Sequence, residues 1–178
     1  MSLGKLLYPL RGRDAYLAWN RLEAAPETLT LASPAFADGA PMPRRHAGLG
    51  LGENLSPPLT IAGVPQAAAA LLLVLQDPDA PLPRPVVHLI AALPPGTTEL
   101  AEGALNEGMP VAFGRGTFGR RGYHGPRPLR GHGVHRYVFQ LFALREPAPH
   151  GGNLAAQLAA LQGKVLARGC LTGIFVCS

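Results

Sequence analysis

The chain has 178 residues, 47% of them hydrophobic, with sixteen Lys and Arg against eleven Asp and Glu and a formal charge of +5. This size and hydrophobicity suit one globular domain with a sizeable core and exclude a disordered chain. No apolar run reaches the roughly 18 residues of a membrane-spanning helix, and two cysteines, Cys170 and Cys177, cannot build a disulfide framework.

In chain order, residues 1–26 have the weakest pattern and read as an N-terminal extension, with a short helix over Asp14–Glu23 stopped by Pro26. Lys5, Arg11 and Arg13 interrupt what apolarity this segment has, so no secretion signal is expected and a cytoplasmic protein fits. Residues 27–178 read as a single domain. Glu27–Ala32 alternates as a half-buried strand, and Ser33–Pro58 is loop-like, rich in Pro and Gly. Ala68–Leu75 is a continuous apolar run between prolines, which suits a strand buried on both faces. Pro85–Leu93 predicts a further buried strand, and Arg136–Leu144 is the clearest strand of all. Asn153 is a good N-cap for a helix predicted to run through Arg168 to Gly169, with Leu154, Leu158, Leu161 and Val165 on one stripe. Leu171–Cys177 then predicts a final strand, and both cysteines are expected as buried structural residues.

The segment Gly119–Tyr137 carries the most chemistry. It holds five glycines, two prolines, three histidines and five arginines, and six of the sixteen basic residues lie between Arg115 and Arg136. Gly and Pro let backbone approach a ligand closely, and imidazoles and guanidiniums favour an anion, so the segment reads as the wall of a small anion pocket. Nucleotide loops fail on spacing, since there is no Gly-x-x-x-x-Gly-Lys-Ser/Thr and no strand–GxGxxG–helix unit. No Gly-x-Ser-x-Gly elbow supports a serine hydrolase, and no second close ligand pair joins His132 and His135 into a zinc site.

Asp77-Pro-Asp-Ala-Pro81, His88 shortly after it, the Gly–Pro loop ending in His135-Arg-Tyr137, and the earlier Ser33–Gly39 and Glu53–Leu59 stretches come in a fixed order. Together they resemble the phosphatidylethanolamine-binding protein family, in particular its bacterial Raf-kinase-inhibitor-like branch. The resemblance covers roughly residue 29 to the C-terminus. It implies a mostly β fold, an antiparallel β-sandwich with Greek-key connections and peripheral α-helices. Periodicity alone supports only the mostly-β part.

Two readings of Asp77 and Asp79 compete: both bind a metal with His88 and His135, or one faces a pocket while the other anchors structure. The resemblance implies the second. Asp77 then lines the pocket with Pro81, His88, His135 and Tyr137; Gly125, Pro126, Arg127 and Pro128 form its rim; Asp79 pairs with Arg136; and no metal or cofactor is expected. Arg127 stands where the family usually has a small residue or Cys, and either adds an anion contact or blocks the pocket. The function so implied is binding of a small phosphate-like anion, such as a phospholipid head group, without catalysis, since no activated nucleophile is evident. Affinity for it is expected to strengthen as pH falls from about 8 to about 6, through histidine protonation. The alternative is an inhibitor or protein-interaction module whose rim loop contacts a partner. Nucleic acid is disfavoured because the loop has few aromatics for stacking, and a homodimer stays open.

Overall fold

The computed structural model describes residues 3–149 and 151–177. Eight strands form two antiparallel sheets. The smaller joins β1 (Thr30–Ala32), β2 (Leu59–Ala62) and β5 (Glu99–Leu100) in the order β1-β2-β5. The larger takes β3 (Ala70–Asp77), β4 (Val86–Leu93), β6 (Ala112–Phe113), β7 (Val134–Leu144) and β8 (Val165–Val176) in the order β6-β4-β3-β7-β8. Three short α-helices, α1 (Leu3–Leu7), α2 (Ala18–Arg21) and α3 (Leu154–Ala160), lie outside the sheets.

Alternation along the strands sorts the core into two layers. Leu71, Leu73 and Leu75 of β3, with Leu89, Ala91, Phe139 and Leu141 of its neighbours, pack against Leu31, Leu59 and Ile61 of the small sheet. Leu72, Val74, Ile90 and Phe142 point the other way, onto Ala18 and Leu22 of the α2 region and Leu154, Leu158 and Leu161 of the α3 region. Strand β3 is central and covered on both faces, which is why all eight of its residues are buried and its sequence is apolar without a break from Ala70 to Leu75.

The extension is part of this packing. The expected helix over 14–23 is split into a 3-10 turn at Asp14–Tyr16 and α2, with Leu17 extended between them. Two buried glutamines on the sheet hold the break. Gln76 Oε1 accepts from the Ala18 amide at 2.7 Å, and Gln140 Oε1 accepts from the Trp19 amide at 2.7 Å.

The C-terminal third departs furthest from expectation. Asn153 caps α3, its side chain accepting from the Ala156 amide, but the helix stops at Ala160 and the chain turns through Gly163 at φ +74°. Residues 165–168, expected as helix, already belong to β8, which pairs along nearly the whole of β7. Gly169 sits where a Cβ would collide with the Leu29 carbonyl, so this strand's approach to the chain before β1 selects glycine. Strand alternation also corrects the cysteines. Cys170 lies on the outward face of β8 and is exposed, Cys177 is half-buried, and both are free thiols. Strand β1 is shorter than the predicted 27–32, because the backbone before it bonds sideways to Arg168 of β8 instead.

Candidate functional site

At one end of the large sheet, β3 stops at Asp77, β4 begins at Val86 and β7 begins at Val134, and the three ends surround a cavity of about 280 Å³. Asp77, Pro81, His88, Gly125, Arg127, Pro128, His135 and Tyr137 all line it. Pro126 does not. It is buried, and its carbonyl accepts from the Gly48 amide at 2.9 Å, so the middle of the expected rim is tied down as structure. Arg127 is exposed at the mouth with its stem over Gly48, where a Cβ would collide with it, so the side chain borders the cavity rather than filling it.

A β-bulge aims His88. Leu75 pairs with Leu89 and Gln76 with Val87, leaving His88 as an extra residue on β4. Simple alternation would place it opposite Leu89, which faces the inter-sheet core. The bulge instead brings its ring edge-on to Tyr137, with centroids 5.2 Å apart. Its Nδ1 lies 2.6 Å from the His124 carbonyl. Burial lowers the His88 pKa from its ordinary value, although the Asp77 charge and the His124 carbonyl pull the other way.

Asp77 is buried and fully engaged. One oxygen accepts from the Asp79 and Ala80 amides at 2.8 and 3.1 Å, closing the turn after β3. The other lies 2.8 Å from His135 Nδ1. His135 Nε2 is 2.7 Å from His132 Nδ1, and His132 Nε2 is 2.9 Å from the Leu7 carbonyl of α1. Both ends of this chain, a carbonyl and a carboxylate, are acceptors. The two imidazoles thus link carboxylate and carbonyl in one continuous chain of contacts.

Tyr137 is 0% exposed, and its hydroxyl has no hydrogen-bond partner. The Asp77 carboxyl and the Arg127 amide flank it without closing a hydrogen bond. Burial first, and the Asp77 charge second, raise its pKa far above the usual phenol range, so it stays a neutral O–H donor. Nearly all buried polar groups in folded proteins are paired, so an orphan hydroxyl lining a cavity calls for a functional account.

Behind the cavity, Arg136 points to the opposite face from its two neighbours. Its Nε and Nη2 lie 2.9 and 3.0 Å from the two Asp79 oxygens, its own amide donates to Asp79 at 2.8 Å, and it also reaches Asp14. Burial works to raise the Asp79 pKa, but the Arg136 hydrogen bonds and charge, with Arg11 nearby, outweigh it and hold the carboxyl below its ordinary range. Among the described residues no His, Cys, Asp and Glu cluster could hold a metal ion.

The reading of the sequence missed several participants. His132 is 0% exposed and braces His135; its His-x-x-His spacing was a visible signal, weighed only for zinc. Phe118 and Arg120 line the mouth from the loop after β6 and carry no motif. Arg11 donates to the carbonyls of Asp79, His132 and Val134 from a segment that sequence pattern left nearly blank.

Comparison with known proteins places this geometry. The family profile described as phosphatidylethanolamine-binding protein matches residues 32–176. UPF0098 protein PH1269 of Pyrococcus horikoshii is 37% identical over 131 residues, which cover 70% of this chain and 66% of that protein. A Mycobacterium tuberculosis protein named "Putative lipoprotein LppC" is 41% identical over 155 residues, 85% of this chain and 74% of its own. The crystal structure of Escherichia coli YbcL, described as a member of the mammalian PEBP family, superposes with a TM-score of 0.76 at 26% identity, covering 85% of this chain and 99% of YbcL. No helix among the described residues is long and apolar enough to cross a membrane.

Proposed function

The chain belongs to the phosphatidylethanolamine-binding protein family, and from that premise we propose that the cavity between the ends of β3, β4 and β7 binds the phosphate of a small phosphorylated ligand, such as a phospholipid head group, without turning it over. The observation that carries this is the buried Tyr137 hydroxyl, a donor without an acceptor in a cavity of head-group size. A phosphate oxygen is the acceptor it lacks, and a hydrogen bond to a charged acceptor is roughly twice as strong as a neutral one. The electrostatics agree. Asp77 is engaged by His135 and by the Asp79 and Ala80 amides, and Arg120 and Arg127 stand at the mouth. A cytoplasmic site of action is part of the proposal; the lipoprotein name of LppC belongs to that relative, and cell fractionation decides the matter for this chain.

Calorimetric titration with phosphorylethanolamine and with inorganic phosphate tests the reading. Saturable binding that is weakened by both Tyr137→Phe and His88→Gln is expected. No heat at about 10 mM ligand, a level at which even millimolar affinities register, refutes it. A second reading, a protein-contact module, has one observation in its favour. Phe118, at φ +64°, is 77% exposed on the cavity rim. A partner complex that tolerates His88→Gln and Tyr137→Phe but is lost with Phe118→Ser would favour that module.

A further inference from the structure

We propose that a second cavity, on the opposite face of the large sheet, binds a small amphiphilic anion, an aromatic or alicyclic body bearing one carboxylate or phosphate. This cavity measures about 530 Å³ and lies where the α2 and α3 regions cover the sheet. Small-ligand sites commonly enclose about 300–1,000 Å³, with mostly apolar walls and a few convergent polar groups. Here Leu82, Pro83, Pro85, Val87, Leu154 and the Tyr16 ring supply the apolar walls. Three arginines, Arg21, Arg84 and Arg115, are the charged residues of its lining.

Arg21, Arg84 and Arg115 reach this cavity from three remote segments: the end of α2, the β3–β4 turn and the loop after β6. The fold holds the backbone of Arg21 and Arg115 and the guanidinium of Arg84. The Arg21 carbonyl accepts from Gln162 Nε2 at 3.1 Å, the Arg84 guanidinium stacks 5.4 Å from the Tyr16 ring centroid, and the Arg115 amide donates to the Gly152 carbonyl at 2.7 Å. No Asp or Glu lines the cavity, and among the described residues none of the three arginines has a carboxylate within salt-bridge distance. Three arginines without a carboxylate partner among the described residues thus border an apolar hollow, and an anion offers them one. A free inorganic ion would leave the walls unused, and a neutral apolar molecule would leave the charges unpaired. The chemistry that meets both demands is an anion with an apolar body.

The cavity shares only Val87 and Thr117 with the phosphate pocket, so the two can be perturbed separately. The test titrates isotope-labelled full chain with 2-naphthoate, 2-naphthyl phosphate and the neutral 2-naphthalenemethanol, following backbone amide shifts and affinity. Both anions should bind below about 1 mM with shifts at Val87, Arg115, Thr117 and Ala155, and the alcohol at least about tenfold more weakly. Which anion binds more tightly distinguishes a carboxylate ligand from a phosphate one. Arg84→Gln combined with Arg115→Gln should weaken both anions at least about tenfold while leaving the thermal midpoint in place, because both side chains are exposed. Tyr137→Phe should leave naphthoate binding unchanged, which separates this site from the phosphate pocket. The proposal is overturned if those amides show no saturable shift, if the alcohol binds as well as the anions, or if the double substitution leaves affinity unchanged.

Discussion

Two buried tyrosines make a matched pair of opposite sign. Tyr123 is 1% exposed and its hydroxyl donates to the His46 carbonyl at 2.8 Å; Tyr137 is 0% exposed and its hydroxyl has no partner. Replacing Tyr123 with Phe deletes a made hydrogen bond and leaves the His46 carbonyl short of a donor, at a cost of about 1 kcal/mol. Replacing Tyr137 with Phe removes a hydroxyl whose burial without a partner is itself unfavourable by about 1–3 kcal/mol, so folding stability should hold or rise. With a urea slope of about 2 kcal/mol/M, the first variant should unfold roughly 0.5 M earlier than wild type and the second no earlier. Ligand affinity should reverse the order. The Tyr137 hydroxyl is the proposed donor to a phosphate oxygen, and losing a hydrogen bond to a charged group costs about 1.5–3 kcal/mol, a ten- to hundredfold loss. Tyr123→Phe should bind nearly normally. Urea titration and calorimetry with phosphorylethanolamine on the two variants decide it. A Tyr137→Phe protein destabilised like Tyr123→Phe, with affinity unchanged, would show that the hydroxyl serves folding and that the pocket assignment is wrong.

Other perturbations test the surroundings. Arg136→Met removes both side-chain contacts to Asp79; because the Arg136 side chain is 43% exposed, the loss should be about 2 kcal/mol rather than the 3–5 of a fully buried pair, and an unchanged denaturation midpoint counts against the pair. The lowered His88 pKa has a definite sign: neutral His88 supports the fold fully above the unfolded value of about 6.5, and that support is lost as pH falls through the lowered folded value, so wild type should lose stability below about pH 6.5 and His88→Gln should lose less. A permanently monoanionic phosphodiester should bind more tightly as pH falls, since an anion favours the charged form of His88, and a flat affinity profile refutes the coupling. Asn153→Ala should cost about 1 kcal/mol by uncapping α3, read as an earlier urea midpoint.

What could be read from the sequence was whatever had short-range causes. A run buried on both faces reads as continuous apolar sequence, and β3 is such a run as far as Leu75. A helix start is a local hydrogen bond, and Asn153 makes it. The end of that helix was misread because the leucine stripe continues as far as Val165, while the decisive partner of residues 165–168, strand β7, is remote in sequence. The cavity residues Asp77, His88, His135 and Tyr137 were found through motif order, and periodicity alone would have left His88 as a core histidine, because the bulge that aims it has no sequence signature. His132, Phe118 and Arg11 were missed because their roles depend on loop and chain-end geometry, which no period encodes.

The carbonyl that terminates the His132–His135–Asp77 chain belongs to Leu7, well before residue 32, where the family match begins. The innermost wall of the pocket is thus anchored on a part of the polypeptide that the family's shared pattern does not specify. Proteins with identical pocket residues but different leading segments need not hold His135 in the same way. A change in the leading segment that moves the Leu7 carbonyl should therefore reach the pocket through His132 and His135, and comparisons of ligand preference across relatives need matched leading segments as much as matched motifs.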